Sequence, residues 1–373
     1  MLDGVRLAAI ARKEAIQLRR DRRSMALAFV LPLFMLLFFG YAITWDVEDI
    51  PLSVLDQDRT QKSRLLVDAL EASGYFEVAE RLDAYDQVEP GLARGRVRGA
   101  LVIPPGFERD LAAGRGAQVQ LLLDGGDANT ATIALNYSDA IVARFSAQVV
   151  LGSAAARPPA DAESRVWYNP TLESRNMIVP ALIAVIMSII AAMLTALTIA
   201  REWERGTMEQ LASTPVHRLE VVLGKLAPYV VIGLIDVAVA TLAGVLLFGV
   251  PFRGDVLLLA ALTLLFLIGA LGLGIFISAA LRSQVLAMQV ALVVTYLPAL
   301  LLSGFLFDIR SMPVALRAFT WVVPARYFVA VTRGVFLKGV GIEALWVQAI
   351  SMLVFATAGL GLAAVAFRKE IAR

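Results

Sequence analysis

Six apolar stretches, each about long enough to cross a bilayer, constrain this chain more than any other feature. A helix needs about 20 apolar residues to span a hydrocarbon core roughly 30 Å thick. Met25–Trp45, Asn176–Ala200, Leu226–Gly249, Asp255–Leu281, Val285–Phe307 and Glu343–Phe367 all meet that length. Backbone N–H and C=O groups in lipid must be bonded within the segment, so the expected fold is an α-helical membrane bundle of six transmembrane helices. Composition agrees: 58% of the 373 residues are apolar and 18% charged, against about 45–50% and 25% in soluble domains.

Between the first and second stretches the chain changes character. Residues 46–175 hold 20 acidic and 13 basic side chains, whereas the remainder holds 12 acidic and 21 basic. Short apolar runs at Pro51–Asp56, Tyr75–Glu80, Val97–Ile103 and Gln118–Leu123 read as strands. Thr60–Ser73 reads as a helix ending at Gly74. Ala128–Leu151 suits a long packed helix, and Asn136, Asp139 and Arg144 argue against a span. The expectation is an inserted external mixed α/β domain over 46–175, with Ala154–Pro159 as a linker.

Charge orients the chain. Seven Lys/Arg precede Met25, which predicts a cytoplasmic N-terminus. A secretory signal is the competing reading, but the apolar stretch is longer than a signal core and lacks a small-residue cleavage site. Residues 1–24 then form an amphipathic elbow helix, with Leu2, Val5, Ala9 and Ile16 on one face. Arg12, Lys13, Arg19, Arg20, Arg22 and Arg23 stay among anionic headgroups. Six spans return the C-terminus to the same side, where Arg368, Lys369 and Arg373 follow the last span. The 46–175 domain falls outside, and so does 308–341. That last segment holds Arg310, Arg317, Arg326, Arg333 and Lys338 beside apolar clusters too short to cross. It reads as a re-entrant or interfacial helical pair, with an amphipathic surface loop as the alternative.

Chemistry is sparse. The chain has no cysteine and one histidine, His217, which leaves out disulfides, thiol catalysis and cysteine metal sites and argues against a Ser-His-Asp or multi-histidine zinc site. A phosphate-binding loop needs a Gly-Lys followed by Ser or Thr, but Gly224-Lys225 is followed by Leu226. Asp236 is the one ionisable residue deep inside an expected span, which makes it either a polar point on a transport path or a bundle-facing acid bonded to a neighbouring helix.

The most informative stretch runs from Arg201 to Val216, R-E-W-E-R-G-T-M-E-Q-L-A-S-T-P-V. Arg201–Arg205 carries the second span into water and Gly206 breaks it. Thr207 can cap a new helix, with Gln210 completing a capping box. Glu209 suits the positive helix end, and Thr214-Pro215 stops the helix. The expected product is a short helix lying along the membrane face, showing Met208 and Leu211 on one side.

This stretch resembles the coupling segment of ATP-binding-cassette exporter permeases. Arg201, Glu202, Glu204, Gly206, Thr207, Glu209, Gln210, Leu211, Thr214, Pro215 and Val216 all match. The order of parts is also similar: basic elbow, one span, large external domain, five spans. The segment with Gly304, Pro313, Pro324, Arg326, Arg333 and Gly334 is similar to that family's external helical pair. The resemblance implies docking of a separate cytoplasmic ATPase that holds ATP and Mg, with no cofactor on this chain. It also implies a second permease chain, a bacterial inner-membrane location, efflux of an amphipathic or multidrug type of cargo and an optional periplasmic adaptor; no nucleic-acid partner is implied. Two other classes fit the same residues: a membrane scaffold or receptor without an ATPase, and a cation-coupled carrier centred on Asp236.

Overall fold

The computed structural model describes residues 3–43, 49–114, 116–126, 128–151, 167–169, 173–207 and 216–367. The linker at 154–159, the basic tail and residues 208–215 lie outside them. The chain divides into two compact units, Trp45–Ser164 and Met1–Thr44 with Arg165–Arg373. The boundary therefore falls about ten residues before the one expected at 175.

The Trp45–Ser164 unit is a four-stranded sheet with helices on both faces. Its strands are β1 (Ile50–Asp56), β2 (Phe76–Arg81), β3 (Gly99–Ile103) and β4 (Gln120–Leu123). They lie in the order β2-β1-β3-β4, with β1 parallel to β2 and β3, and β4 antiparallel to β3. Side chains alternate along a strand. Ile50, Leu52, Val54, Leu101 and Ile103 therefore join one core, while Leu55, Ala100 and Val102 join the other.

In the larger unit, α1 spans Gly4–Arg20, and α2 (Arg22–Met25), a π-turn (Ala26–Val30) and α3 (Leu31–Ala42) make one rod. The π-turn sits where the Pro32 ring would strike the carbonyl of Ala28, and widening the helix relieves that clash. The first expected span thus starts at Arg22 rather than Met25, and its apolar part, Ala26–Ala42, is shorter than a full crossing helix.

Between β1 and the second long stretch lie α4 (Gln61–Glu71), α5 (Val88–Ala93), α6 (Phe107–Ala112) and α7 (Ala128–Leu151). Five long apolar helices follow: α8 (Ser174–Glu204), α9 (Arg218–Leu246), α10 (Val256–Leu281), α11 (Gln284–Leu302) and α14 (Ile342–Ala366). Before α14 come α12 (Val314–Phe319) and α13 (Pro324–Arg333). The described residues thus hold five apolar helices long enough to cross, or six if the bent pair at 314–338 is one broken span.

Helix α8 is the axis of the unit. It packs on α3, α9, α10, α11 and α13, and 89% of its apolar window is buried in protein. By contrast, only 17% of the α11 window is buried, so α11 turns its apolar side outward. Helices α10 and α14 approach backbone to backbone: a Cβ on Gly272 would stand 2.7 Å from the carbonyl carbon of Gly359. Close approach at glycines is how apolar helices gain packing energy where lipid removes the hydrophobic drive.

Candidate coupling site

Helix α8 does not stop where its apolar residues stop. Arg201, Glu202, Trp203 and Glu204 prolong it, and Gly206 ends it in the left-handed region at φ +68°, where a side chain would strain the backbone. The Thr207 hydroxyl donates to the Glu202 carbonyl at 3.3 Å. Met208–Pro215, with Glu209, Gln210, Leu211, Thr214 and Pro215, lies outside the described residues. The chain is described again from Val216, and α9 begins at Arg218, two turns before the expected Leu226.

That early start places Lys225 inside a helix. Helix α1 lies along α9, with Ile10 over Gly224, where a Cβ would sit 2.8 Å from the Ile10 side chain. The buried face of α1 carries Glu14 and Leu18. Val5 and Ile16, read as part of one apolar face of the elbow helix, are 80% and 46% exposed. Glu14 turns toward α9, where Lys225 and Tyr229 bond its carboxylate.

Lys225 is 2% exposed. Its ammonium lies 2.9 Å from Glu202 Oε1 and 3.3 Å from Glu14 Oε2. Lys13 reaches the same Glu202 oxygen at 3.1 Å, and the Tyr229 hydroxyl donates to Glu14 Oε1 at 3.2 Å. One cation and two carboxylates are therefore shut between α1, α8 and α9, with the largely exposed Lys13 at the rim, and the cluster is neutral as a whole. Taking such charges out of water costs several kcal/mol per ion, so the cluster is stable only while every member stays paired.

A second layer surrounds this cluster. Arg201 donates to Asp21 Oδ2 at 2.6 Å and to Gln284 Oε1 at 3.4 Å. Glu204 accepts from the Gln284 backbone N–H at 2.7 Å and from its side-chain amide. Arg282 stacks over Trp203 at 4.3 Å. Glu220 accepts from the backbone N–H groups of Asp3 and His217, each at 2.8 Å. Ser278 on α10 accepts from the N–H groups of Ile199 and Ala200 at 3.1 and 2.8 Å. The end of α8 is thus tied to α1, α9, α10 and α11 at once.

The structure brings Arg201, Glu202 and Glu204 into one network and turns Glu202 inward, 5% exposed. Gly206 and Thr207 are exposed at the helix end. The sequence reading missed Glu14, Asp21, Lys225 and Tyr229. Acids within a basic elbow were a usable signal, since Glu14 and Asp21 each meet a cation on α9 or α8. Lys225 could not be found that way, because it read as a loop residue.

Asp236 stands apart. It is 4% exposed on α9, its Oδ2 has no hydrogen-bond partner among the described residues, and it lies about 10 Å along the helix from Tyr229.

The 308–341 segment contains two helical pieces bent by 82° between Val314–Val322 and Pro324–Lys338, a geometry that fits a re-entrant pair or one broken span. Pro313 precedes α12 and Pro324 opens α13, each where its missing N–H costs nothing. Gly304 takes φ +83°, and Gly334 opens a π-turn, Gly334–Lys338. Arg333 donates to the carbonyls of Met177, Gly304 and Phe305 at 3.2, 2.9 and 3.5 Å, which joins α13 to α8 and to the end of α11. Arg326 covers the Trp321 ring at 4.3 Å.

The ABC-2 family transporter protein profile matches residues 22–365. The chain is 38% identical over 336 residues to the probable multidrug ABC transporter permease YbhS of Escherichia coli, covering 90% of this chain and 89% of that protein. It is 30% identical over 369 residues to the probable multidrug ABC transporter permease YbhR of the same organism, covering 98% and 99%. It is also 29% identical over 332 residues to the inner membrane transport permease YhhJ of Escherichia coli, covering 86% of each.

Proposed function

The chain belongs to the ABC-2 family of transporter proteins, and from that premise we propose that it works as an exporter permease driven through residues 201–216 by a separate cytoplasmic ATPase. It is the membrane-embedded permease subunit of an ABC transporter. In our reading ATP and Mg reside on the ATPase, two permease chains form the working unit, and both termini are cytoplasmic at the bacterial inner membrane. The cargo is lipophilic or amphipathic, in line with relatives whose names carry the word multidrug. A periplasmic adaptor is an optional further partner, with the 46–175 domain as the surface that would meet it.

One observation carries this reading. Glu202, at the root of the coupling segment, is held by Lys225 and Lys13, so α1, α8 and α9 form one block. A displacement imposed on residues 208–215 is passed to α8, the axis of the bundle, instead of being absorbed in a loose linker. Nucleotide state then biases a rigid-body shift of the spans. Outside this block, Glu209, Gln210 and Leu211 supply the docking contacts.

The two roles separate experimentally. The tagged chain, extracted from its native membrane, should bring an ATPase with it, and Glu209→Ala with Gln210→Ala should lose it. Glu202→Gln should keep the ATPase but lower cargo-stimulated hydrolysis by about tenfold, an energy of about 1.4 kcal/mol. Absence of any ATPase from the intact, well-extracted chain would sink the proposal.

A further inference from the structure

Beside the coupling network lies an open cavity of about 820 Å³, formed by α1, the start of the α2–α3 rod, the end of α8 and the first residue of α11. Lys13, Arg20, Arg22, Arg201 and Arg205 line it, opposed by the single acid Asp21. Asp21 is already taken by Arg201 at 2.6 Å, and Lys13 by Glu202 at 3.1 Å. Arg20, Arg22 and Arg205 are exposed, and no ion pair or hydrogen bond engages their guanidinium groups among the described residues. These three arginines share one cavity whose one acid is already engaged by Arg201, so an anion bound among them would offset their like charge.

Position narrows the choice of anion. Arg22 opens the rod that runs apolar to Ala42, Gln284 opens α11, and Arg205 closes α8. Three apolar helices thus meet their polar ends around one cavity, and a change from apolar to charged residues along a crossing helix marks where hydrocarbon gives way to headgroups. Ile16, 46% exposed, also lines it, so the wall offers apolar contact next to positive charge. A planar guanidinium fork matches two phosphate oxygens at once, which an ammonium cannot do.

We infer that this cavity binds the phosphodiester headgroup of an anionic phospholipid, with Arg20, Arg22 and Arg205 on the phosphate and an acyl chain running past Ile16. Bound there, the lipid would join α1, α8 and the first rod at the outer edge of the coupling network. The inference rests on the chain being a multi-pass membrane protein and not on where the ATPase docks, so either can fail alone.

The test uses the full chain purified in an uncharged detergent. Phosphatidylglycerol should raise its Tm and stay bound in native mass spectrometry, about tenfold more tightly than phosphatidylcholine, and the preference should weaken at 1 M salt. Inorganic phosphate and glycerol 3-phosphate should give no comparable shift. The R20Q/R22Q/R205Q variant should keep its lipid-free Tm and bind both lipids alike. Should that variant unfold, single R205Q should show a partial loss of preference on a folded chain. Equal binding of the two lipids by the unaltered chain, or an unchanged preference in the variants, would overturn the inference. A full shift from glycerol 3-phosphate would reassign the site to a free phosphate and remove the lipid. Loss of ATPase co-purification with lipid preference intact would assign the arginines to the protein partner instead.

Discussion

At Lys225 an ammonium 2% exposed stands between two carboxylates, Glu14 and Glu202. Removing it leaves two buried acids with Lys13 as the nearest compensation. Lys225→Met should therefore cost about 3–5 kcal/mol, read as a lowered Tm in detergent. The E14Q/E202Q/K225M triple variant removes all three charges together and should recover to within about 1 kcal/mol of the parent. A triple variant as unstable as the single one would mean that packing, not charge, sets the cost. The triple variant should still fail in transport, because α8 would no longer be tied to α1 and α9.

Elements depend on their contacts in a similarly local way. On α10, Gly272 leaves no room for a side chain against Gly359, whereas Gly361 on α14 has nothing within 4 Å of an added Cβ. Gly272→Val should cost about 1–3 kcal/mol by overpacking, and Gly361→Ala should be neutral or slightly stabilising, since alanine loses less backbone entropy in a helix. Thermal unfolding of the two variants side by side checks the contrast. In the other unit, Asp58 caps α6 by accepting from the N–H groups of Gly106 at 2.7 Å and Glu108 at 2.9 Å. Desolvation raises its pKa, but bonds from the Glu108 N–H, the Thr60 hydroxyl, and the Gly106 and Phe107 N–H groups outweigh that and hold it below the usual value. A depressed carboxyl pKa stabilises the fold above the unfolded value of about 3.9, and the stabilisation is lost as pH falls through the folded value. Amide exchange at Gly106 and Glu108 should therefore lose protection below about pH 4 relative to neighbouring helices, and Asp58→Asn should abolish that pH dependence.

For the whole molecule, the question is which energy source moves it. A proton- or cation-driven carrier places several ionisable groups at the membrane midplane in repeated halves. Here Asp236 is the one acid deep within the apolar part of a long helix among the described residues, without a hydrogen-bond partner on Oδ2, and the charged network lies instead at the Arg201 end of α8. Asp236→Asn should leave ATP-driven export within about twofold of the parent and the Tm unchanged or higher, because a neutral amide is less costly to bury. Loss of export in Asp236→Asn, with hydrolysis intact, would put Asp236 on the cargo path.

Much of this architecture was legible in consecutive residues. A crossing helix needs length and apolarity, and a strand needs a two-residue alternation, so the four strands and the five long helices were found within a few residues of their ends, except for the start of α9, which lies eight residues before the expected Leu226. The break at Gly206 was legible for the same reason, since backbone restrictions act on nearest neighbours. Tertiary structure alone decided which way the polar side chains turn. Glu202 looks like a docking residue in its motif, yet it faces Lys225. Lys225 looks like a loop cation, yet it is among the most buried large side chains in the protein. Glu14 and Lys225 lie 211 positions apart, and no local rule pairs residues at that distance. Their pairing follows from α1 lying on α9 at Gly224, where the absence of a side chain lets the two helices come close enough for a carboxylate and an ammonium to meet out of water.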